Sequence, residues 1–381
     1  MGSSFSGRHH GIDWLRIGAF GLLIGYHVAM VFAPWAWVVK WRTTFPALVA
    51  PMALLTPWRL PLLFVVSGFA TRHLLRPGFV AQRSARLLVP LGFALIALLP
   101  PEMWVRAREA GYAGSLARFW LIDGWNPAPA GRIGFPAWEH LWFVVYLWTY
   151  TLLLAAAPHP ARWQGAVERL LAGGRLLWLP VAALGAARLA LMFLVPERHD
   201  LSGDWEGHAL YLPTFLFGVA LGGSPALWHA VRRCARVAVL LAVAAGLVVV
   251  TVERAFPGTA VPPHAIAAGE RVAQVAMAWG MIVALLAAAD RWARVDHPWR
   301  APLAAAVFPA YLVHHPVIVV AAWWLRPTGI GAGAAATAIL ATTILACVAA
   351  AVVAARVPAL APLLGGPMPR RGGSRVAVLR F

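Results

Sequence analysis

The sequence predicts an all-α integral membrane protein with about ten transmembrane helices and cytoplasmic N- and C-termini. Three observations lead there. The 381 residues are 61% hydrophobic and only 12% charged, whereas soluble domains carry about 25% charged residues. Mean hydropathy is +0.72, more apolar surface than a soluble fold of this size can bury. Apolar runs of roughly 20 residues, the length that crosses a bilayer core, recur along the chain.

In order, the expected spans are Ile12 to Phe32, then a helix centred on Leu60 to Thr71 within the run Pro46 to Leu75, then Ser84 to Met103, Glu139 to Ala157, Leu176 to Val195, His208 to Leu221, Ala235 to Val252, Val272 to Ala289, Pro302 to Leu325 and Ala334 to Val357. The sixth is short and holds Pro213, which lipid tolerates when neighbours satisfy the freed carbonyl. Residues 1–11 then form a cytoplasmic tail, 12–357 the membrane domain and 358–381 a basic cytoplasmic tail. The first run carries Asp13, Arg16 and His27 with no clean cleavage site after it, so it reads as a retained helix.

The loops set orientation. With a cytoplasmic N-terminus, the inner loops hold Arg72, Arg76, Arg83 and Arg86; Arg162, Arg169 and Arg175; Arg232, Arg233 and Arg236; and Arg291, Arg294 and Arg300. The tail adds Arg370, Arg371, Arg375 and Arg380. The outer side holds Glu197, Asp200, Asp204, Glu206, Glu253 and Glu270. This is the charge bias of membrane proteins, and it accounts for the net charge of +18 without nucleic acid. Lys40 and Arg42, in the first outer loop, run against it. Cys234 and Cys347 form no disulfide or metal pattern. His9 and His10 read as a solvated terminus, and no metal is expected.

Ionisable groups inside spans are costly and mark functional sites. Arg16 and His27, eleven residues apart, share a helix face about 16 Å apart, and Asp13 lies one turn from Arg16. His27, His314, His140 and Arg59 all fall in the outer half of four different spans. Sequence fixes their depth but not their rotation. If they converge, a neutral imidazole there can act as general base toward a hydroxyl, and the cytoplasmic arginines can hold phosphates bidentately. The plainer alternatives are an Asp13–Arg16 boundary pair, a hydrogen-bonding His27, and arginines that only follow the topology rule.

Four motifs resemble the type 3 membrane acyltransferase family. They are Gly11-Ile12-Asp13-Trp14-Leu15-Arg16 followed, after ten intervening residues, by His27; Phe64 to Ser67-Gly68-Phe69; Arg83-Ser84-Ala85-Arg86 with Pro90; and Tyr311-Leu312-Val313-His314. The resemblance implies transfer of an acyl group, acetyl or succinyl, from cytoplasmic acyl-CoA to a hydroxyl of an extracytoplasmic glycan or glycolipid. The acyl-CoA is a cosubstrate, with no permanently bound cofactor, and the setting is the inner membrane. It makes His27, Arg16 and Asp13 the catalytic set and Arg72, Arg76, Arg83 and Arg86 the donor-binding set. Arg59, His140, Trp142, Tyr311 and His314 become the acceptor or acyl contacts. Pro57-Trp58-Arg59 and His140-Leu141-Trp142-Phe143 look most like the glucan-modifying, succinyl-transferring branch. Tyr146 departs from the sugar O-acetylating branch, which has a glutamate there. The 106–137 loop, with Tyr112, Trp120, Trp125 and Phe135, and nearby Trp138 suggest either a sugar site or an interfacial aromatic belt. Ser67 reads as a packing residue beside Gly68. A polytopic transporter or flippase for a small anionic or glycan-linked substrate is the competing class.

Overall fold

In the computed structural model, residues 10–126, 133–192, 200–257, 260–293 and 295–366 are described. Arg294, Glu197, Val195, His9 and the tail arginines 370, 371, 375 and 380 lie outside them. The described residues form helices and connecting turns with no strand. The helices are α1 His10–Phe32, α2 Val49–Arg72, α3 Phe79–Phe93, α4 Pro100–Glu109, α5 Leu116–Leu121, α6 Trp142–Ala156, α7 Gln164–Leu170, α8 Arg175–Leu191, α9 Trp205–Leu221, α10 Pro225–Ala255, α11 His264–Trp292, α12 Arg300–Leu325 and α13 Ala332–Arg356.

Seven of the described helices, α1, α2, α3 with its π-helical extension, and α10 to α13, are long and apolar enough to cross a membrane. The bent pair α7–α8, angled by 96°, would make eight. The remaining expected spans correspond to shorter helices. α6 has 15 residues and α9 has 17, about 22 and 25 Å at 1.5 Å per residue. The stretch after α3 is itself partly helical. The helix breaks at Leu99 and restarts as α4, which carries Glu102.

Lipid-facing and protein-facing helices are easily told apart. α10 and α13 leave large apolar side chains outward, including Leu240 at 68% and Leu345 at 69% exposure. α2 buries most of its length among other helices. Its tight partner is α9. A Cβ at Gly68 would collide with the Phe215 carbonyl, and one at Gly218 with the Val65 carbonyl. Two glycines facing opposite backbones let these helices approach more closely than any larger residue permits. Around that seam Phe64, Trp142, Tyr146, Tyr150, Tyr211 and Phe215 pack as one aromatic core.

Contacts at helix ends sort the structure into two sides. On one side, Asp13 at the start of α1 pairs with Arg300 at the start of α12. Gly11 abuts Ala289 near the end of α11, and Gly222 after α9 abuts Arg72 at the end of α2. On the other side, Arg188 near the end of α8 meets Glu206 at the start of α9, 2.6 Å away. Arg326 after α12 meets Glu109 at the end of α4, 2.6 Å away.

Lys40, the cation that ran against the charge pattern, has a structural role. Its ammonium donates to the Met30 carbonyl, at 2.6 Å, and to the Ala33 carbonyl. It thereby caps the exposed carbonyl end of α1, where a cation is favoured. Burial lowers its pKa to about 8. Residues 358–366 are not a free tail, since Leu364 is buried and Gly365 packs against Phe308 of α12.

Candidate functional site

Four imidazoles from three parts of the chain meet in the membrane interior. His27 comes from α1, His314 and His315 from α12, and His140 from the 3-10 turn Glu139–Leu141 that leads into α6. His27 Nδ1 lies 3.2 Å from His314 Nε2, with the rings nearly parallel at 5.3 Å. His315 meets His27 edge-on at 4.8 Å and stacks on His140 at 4.9 Å. Trp37, from the outer loop after α1, stacks on His27 at 6.4 Å and covers the cluster. His314 is fully enclosed, whereas His27 keeps part of its surface accessible.

Local sequence explains why two histidines can sit there. Pro309 and Pro316 lie on either side of the Tyr311–His315 turn of α12. Proline has no N–H, so each interrupts the helical ladder and leaves a carbonyl one turn earlier without its usual donor. Within that turn the Tyr311 carbonyl accepts from ring N–H groups of both His314 and His140.

The hydrogen bonds fix the tautomers. His314 Nδ1 lies 2.8 Å from the Tyr311 carbonyl, which can only accept, so Nδ1 carries the proton. In neutral His314, Nε2 is then an acceptor, and His27 Nδ1 donates to it. That leaves His27 Nε2 with a bare lone pair. His140 Nε2 likewise donates to the Tyr311 carbonyl at 3.2 Å, so its Nδ1 is a bare acceptor, buried and without a partner. The Tyr311 hydroxyl closes the ring by donating to the His140 carbonyl.

A buried ionic chain backs this cluster. Glu102 of α4 is completely enclosed and accepts from His315 Nδ1 at 3.0 Å. Arg106 reaches Glu102 at 3.4 Å and also pairs with Glu139, the neighbour of His140. Glu102 and His315 were not singled out by the sequence reading. The available signal was an acid inside the expected span Ser84 to Met103, which should have been treated like His27.

The ligating atoms of Glu102, His140 and His315 lie within 4.8 Å of one another and could hold a metal ion. That spread is wide for zinc, whose bonds to nitrogen are about 2.0–2.1 Å long. The stacked His140 and His315 rings, 16° apart, direct their lone pairs along near-parallel planes rather than toward one point. The geometry suits hydrogen bonding better than coordination.

Arg59 of α2 is 3% exposed, and its Nε and Nη1 have no partner. Its guanidinium lies 3.9 Å over the ring of Tyr26, the neighbour of His27. Trp142, an expected substrate contact, is 7% exposed. It packs among Tyr146, Tyr211 and Phe64 in the aromatic core. The single hydroxyl proton of Tyr146 is shared between two acceptors, the Asp204 carboxylate at 2.7 Å and the Asp200 carbonyl at 2.8 Å.

Arg16 and Asp13 are not part of the histidine cluster. Arg16 lies about 16 Å and Asp13 about 21 Å down α1 from His27 at 1.5 Å per residue. Arg16 donates to Asp13 at 3.4 Å and to the Ala304 carbonyl at 3.1 Å. Asp13 also pairs with Arg300, whose other partner is Asp296 at 2.6 Å. The pairing with Arg300 lowers the Asp296 pKa to about 2. Arg83 and Arg86 of α3 lie within electrostatic range of Arg16, and Nε atoms of both Arg16 and Arg83 are buried without partners. Arg76 is exposed, and Arg72 packs at the α2–α9 end against Gly223. In the 106–137 loop, Phe119, Trp125 and Phe135 pack on one another, and Tyr112 donates to Asp123 at 2.7 Å.

The fold and these sites define a multi-pass membrane protein with a buried histidine cluster in one half and an arginine cluster at the opposite end of the same helix. The chain belongs to the type 3 acyltransferase family, whose acyltransferase domain it matches over residues 9–355. No curated protein and no solved structure matches it. Family membership implies acyl transfer at the membrane.

Proposed function

We propose that this protein transfers an acyl group from cytoplasmic acyl-CoA to a hydroxyl of an extracytoplasmic glycan or glycolipid, with His27 Nε2 as general base. The observation that carries this reading is the tautomer chain from the Tyr311 carbonyl through His314 to His27. It leaves the most accessible imidazole of the cluster with an unprotonated nitrogen.

In the proposed reaction the hydroxyl gives its proton to His27 Nε2 as its oxygen attacks the thioester carbonyl. His314 accepts from His27 Nδ1–H, and Glu102 holds His315 against the resulting imidazolium. Collapse of the tetrahedral intermediate expels the CoA thiolate, which takes the proton back from His27. General base assistance of this kind is worth about 10²- to 10⁴-fold. A transient acyl-His27 remains compatible with the same geometry.

Arg16, Arg83 and Arg86 would hold the donor's phosphates, since guanidinium groups close enough to repel one another, two of them with a buried Nε that has no partner, gain most from an anion between them. Arg72 and Arg76 would add long-range attraction at the surface. Asp13 keeps Arg16 aimed. The distance from Arg16 to His27 is one an extended pantetheine arm spans.

Ten crossings, cytoplasmic ends and an inner-membrane location complete the reading. The alternation of helix ends between the two sides supports it. Arg59 supports an acyl group that bears its own carboxylate, such as succinyl, because a buried guanidinium without an acid needs an anionic partner. Arg59→Gln should then lose the preference for succinyl- over acetyl-CoA; an unchanged preference removes that assignment.

The direct test is thiol release from acetyl- or succinyl-CoA by membranes containing the protein. Release is expected from the wild type and should fall at least about 10²-fold in folded His27→Ala. Equal release by both would refute the base. The bent α7–α8 pair is the feature that favours a transporter, which would move substrate with no thiol release in either form.

A further inference from the structure

A cavity of about 220 Å³ lies between the outer halves of α1, α2, α10 and α11, next to the histidine cluster. Tyr26, Thr56, Glu253, Gln274 and Trp35 supply its polar and aromatic lining. We infer that this cavity binds one uncharged sugar residue of the acceptor. The inference rests on the acyl-transfer reading and names where its glycan sits.

The lining chemistry selects the ligand class. A lipid chain would leave the remaining hydrogen-bonding capacity of the Glu253 carboxylate and the Gln274 amide unmet in hydrocarbon, which costs free energy. A phosphate or carboxylate would meet Glu253 as a like charge. A neutral polyol suits all of them. Glu253 accepts, Gln274 donates and accepts, and the Tyr26 and Thr56 hydroxyls do both. The Trp35 ring offers an apolar face for the C–H side of a pyranose. The volume equals about seven waters at ~30 Å³ each, room for a single ring.

The lining is also held in place. Gln274 Nε2 donates to Glu270 at 3.2 Å. Thr56 donates to the Met52 carbonyl at 2.8 Å and accepts from the Tyr26 hydroxyl at 3.2 Å. Tyr26 is the partition. Its hydroxyl lines the cavity, its ring carries Arg59, and the same ring meets that of His27 at 5.9 Å. A sugar in the cavity is therefore one aromatic ring away from the proposed base. The 106–137 loop is less suited to this role, because several of its aromatic rings are spent on one another.

The test uses the full-length protein in lipid nanodiscs, free of sugar-headed detergent, with methyl β-D-glucopyranoside as acceptor. In Glu253→Gln, Gln274→Leu and Trp35→Leu the acceptor KM should rise about 10-fold or more, the expected cost of a lost hydrogen bond to a charged or well-placed group. Thiol release without acceptor should stay at the wild-type rate, which also shows that the variants are folded. Wild-type acceptor KM in all three variants overturns the inference, as does an equal fall in acceptor-free release. If the wild type releases no thiol from any acyl-CoA, the acyl-transfer reading fails. Saturation-transfer NMR with the same glucoside then decides the cavity alone. Signal present in the wild type and lost in Gln274→Leu supports it, and signal equal in both, or absent from both, overturns it.

Discussion

The tautomer chain makes a quantitative demand on His314. Replacing it with Leu removes the acceptor at 3.2 Å from His27 Nδ1 while keeping an apolar side chain of similar bulk in a fully enclosed site. A neutral hydrogen bond is worth about 0.5–1.5 kcal/mol net, and about 1.4 kcal/mol is a factor of ten. Without it, His27 divides between its two tautomers, and the fraction with a bare Nε2 falls. Turnover should drop about 2- to 12-fold, well short of the 10²-fold or greater loss expected for His27→Ala. His314→Gln is the control, because its side-chain oxygen can sit where Nε2 was and accept the same proton. It should recover most of the loss. The assay is thiol release at saturating donor, with each variant's melting temperature measured alongside. A folded His314→Leu at wild-type rate, or a His314→Gln no better than Leu, would refute the tautomer reasoning.

Three further outcomes follow from other parts of the structure. Gly68→Ala drives a methyl group into the Phe215 carbonyl, an overpacking cost of about 1–3 kcal/mol, so its melting temperature should fall, whereas Gly25→Ala, where a Cβ meets nothing within 4 Å, should melt as the wild type does. Arg83→Gln with Arg86→Gln should raise the acyl-CoA KM about 10- to 100-fold per lost charged contact with kcat little changed; a fall in kcat at constant KM would place these arginines elsewhere in the reaction. Asp296 has a folded pKa near 2 against a usual 3.8, so the stability it contributes is present above about pH 4 and lost as pH falls toward 2. Asp296→Asn should flatten the acid limb of a melting-temperature profile in that window, and an unchanged profile would contradict the pairing with Arg300.

Membrane character was legible because it depends on composition and run length alone, and both survive any folding detail. Depth was legible too, since counting residues along a helix put His27 and His314 at one level. Rotation was not. Whether Trp142 faces a substrate or the aromatic core depends on how α6 turns against α2 and α9, and no residue in α6 announces that. The Arg16–His27 pair illustrates the difference. Their shared face is a property of one helix and is correct, but Arg16's partners, Asp13 and the Ala304 carbonyl, include one from a helix nearly three hundred residues away. Glu102 was missed for a different reason. It lies at a break where an expected span ends and α4 begins, so a boundary residue turned out to be enclosed with His315. The cavity beside Tyr26 could not be read at all, because four helices and the loop after α1 each contribute between one and three side chains.

The central claim is a hydroxyl deprotonated by His27 across a bilayer from the side that receives the thioester. Proteoliposomes of fixed orientation, with radiolabelled acyl-CoA confined to the arginine-cluster side and methyl β-D-glucopyranoside confined to the other, test it directly. Label should appear on the glucoside with wild-type protein and not with folded His27→Ala. Transfer that needs both reactants on one side, or that persists without the imidazole, would contradict the mechanism.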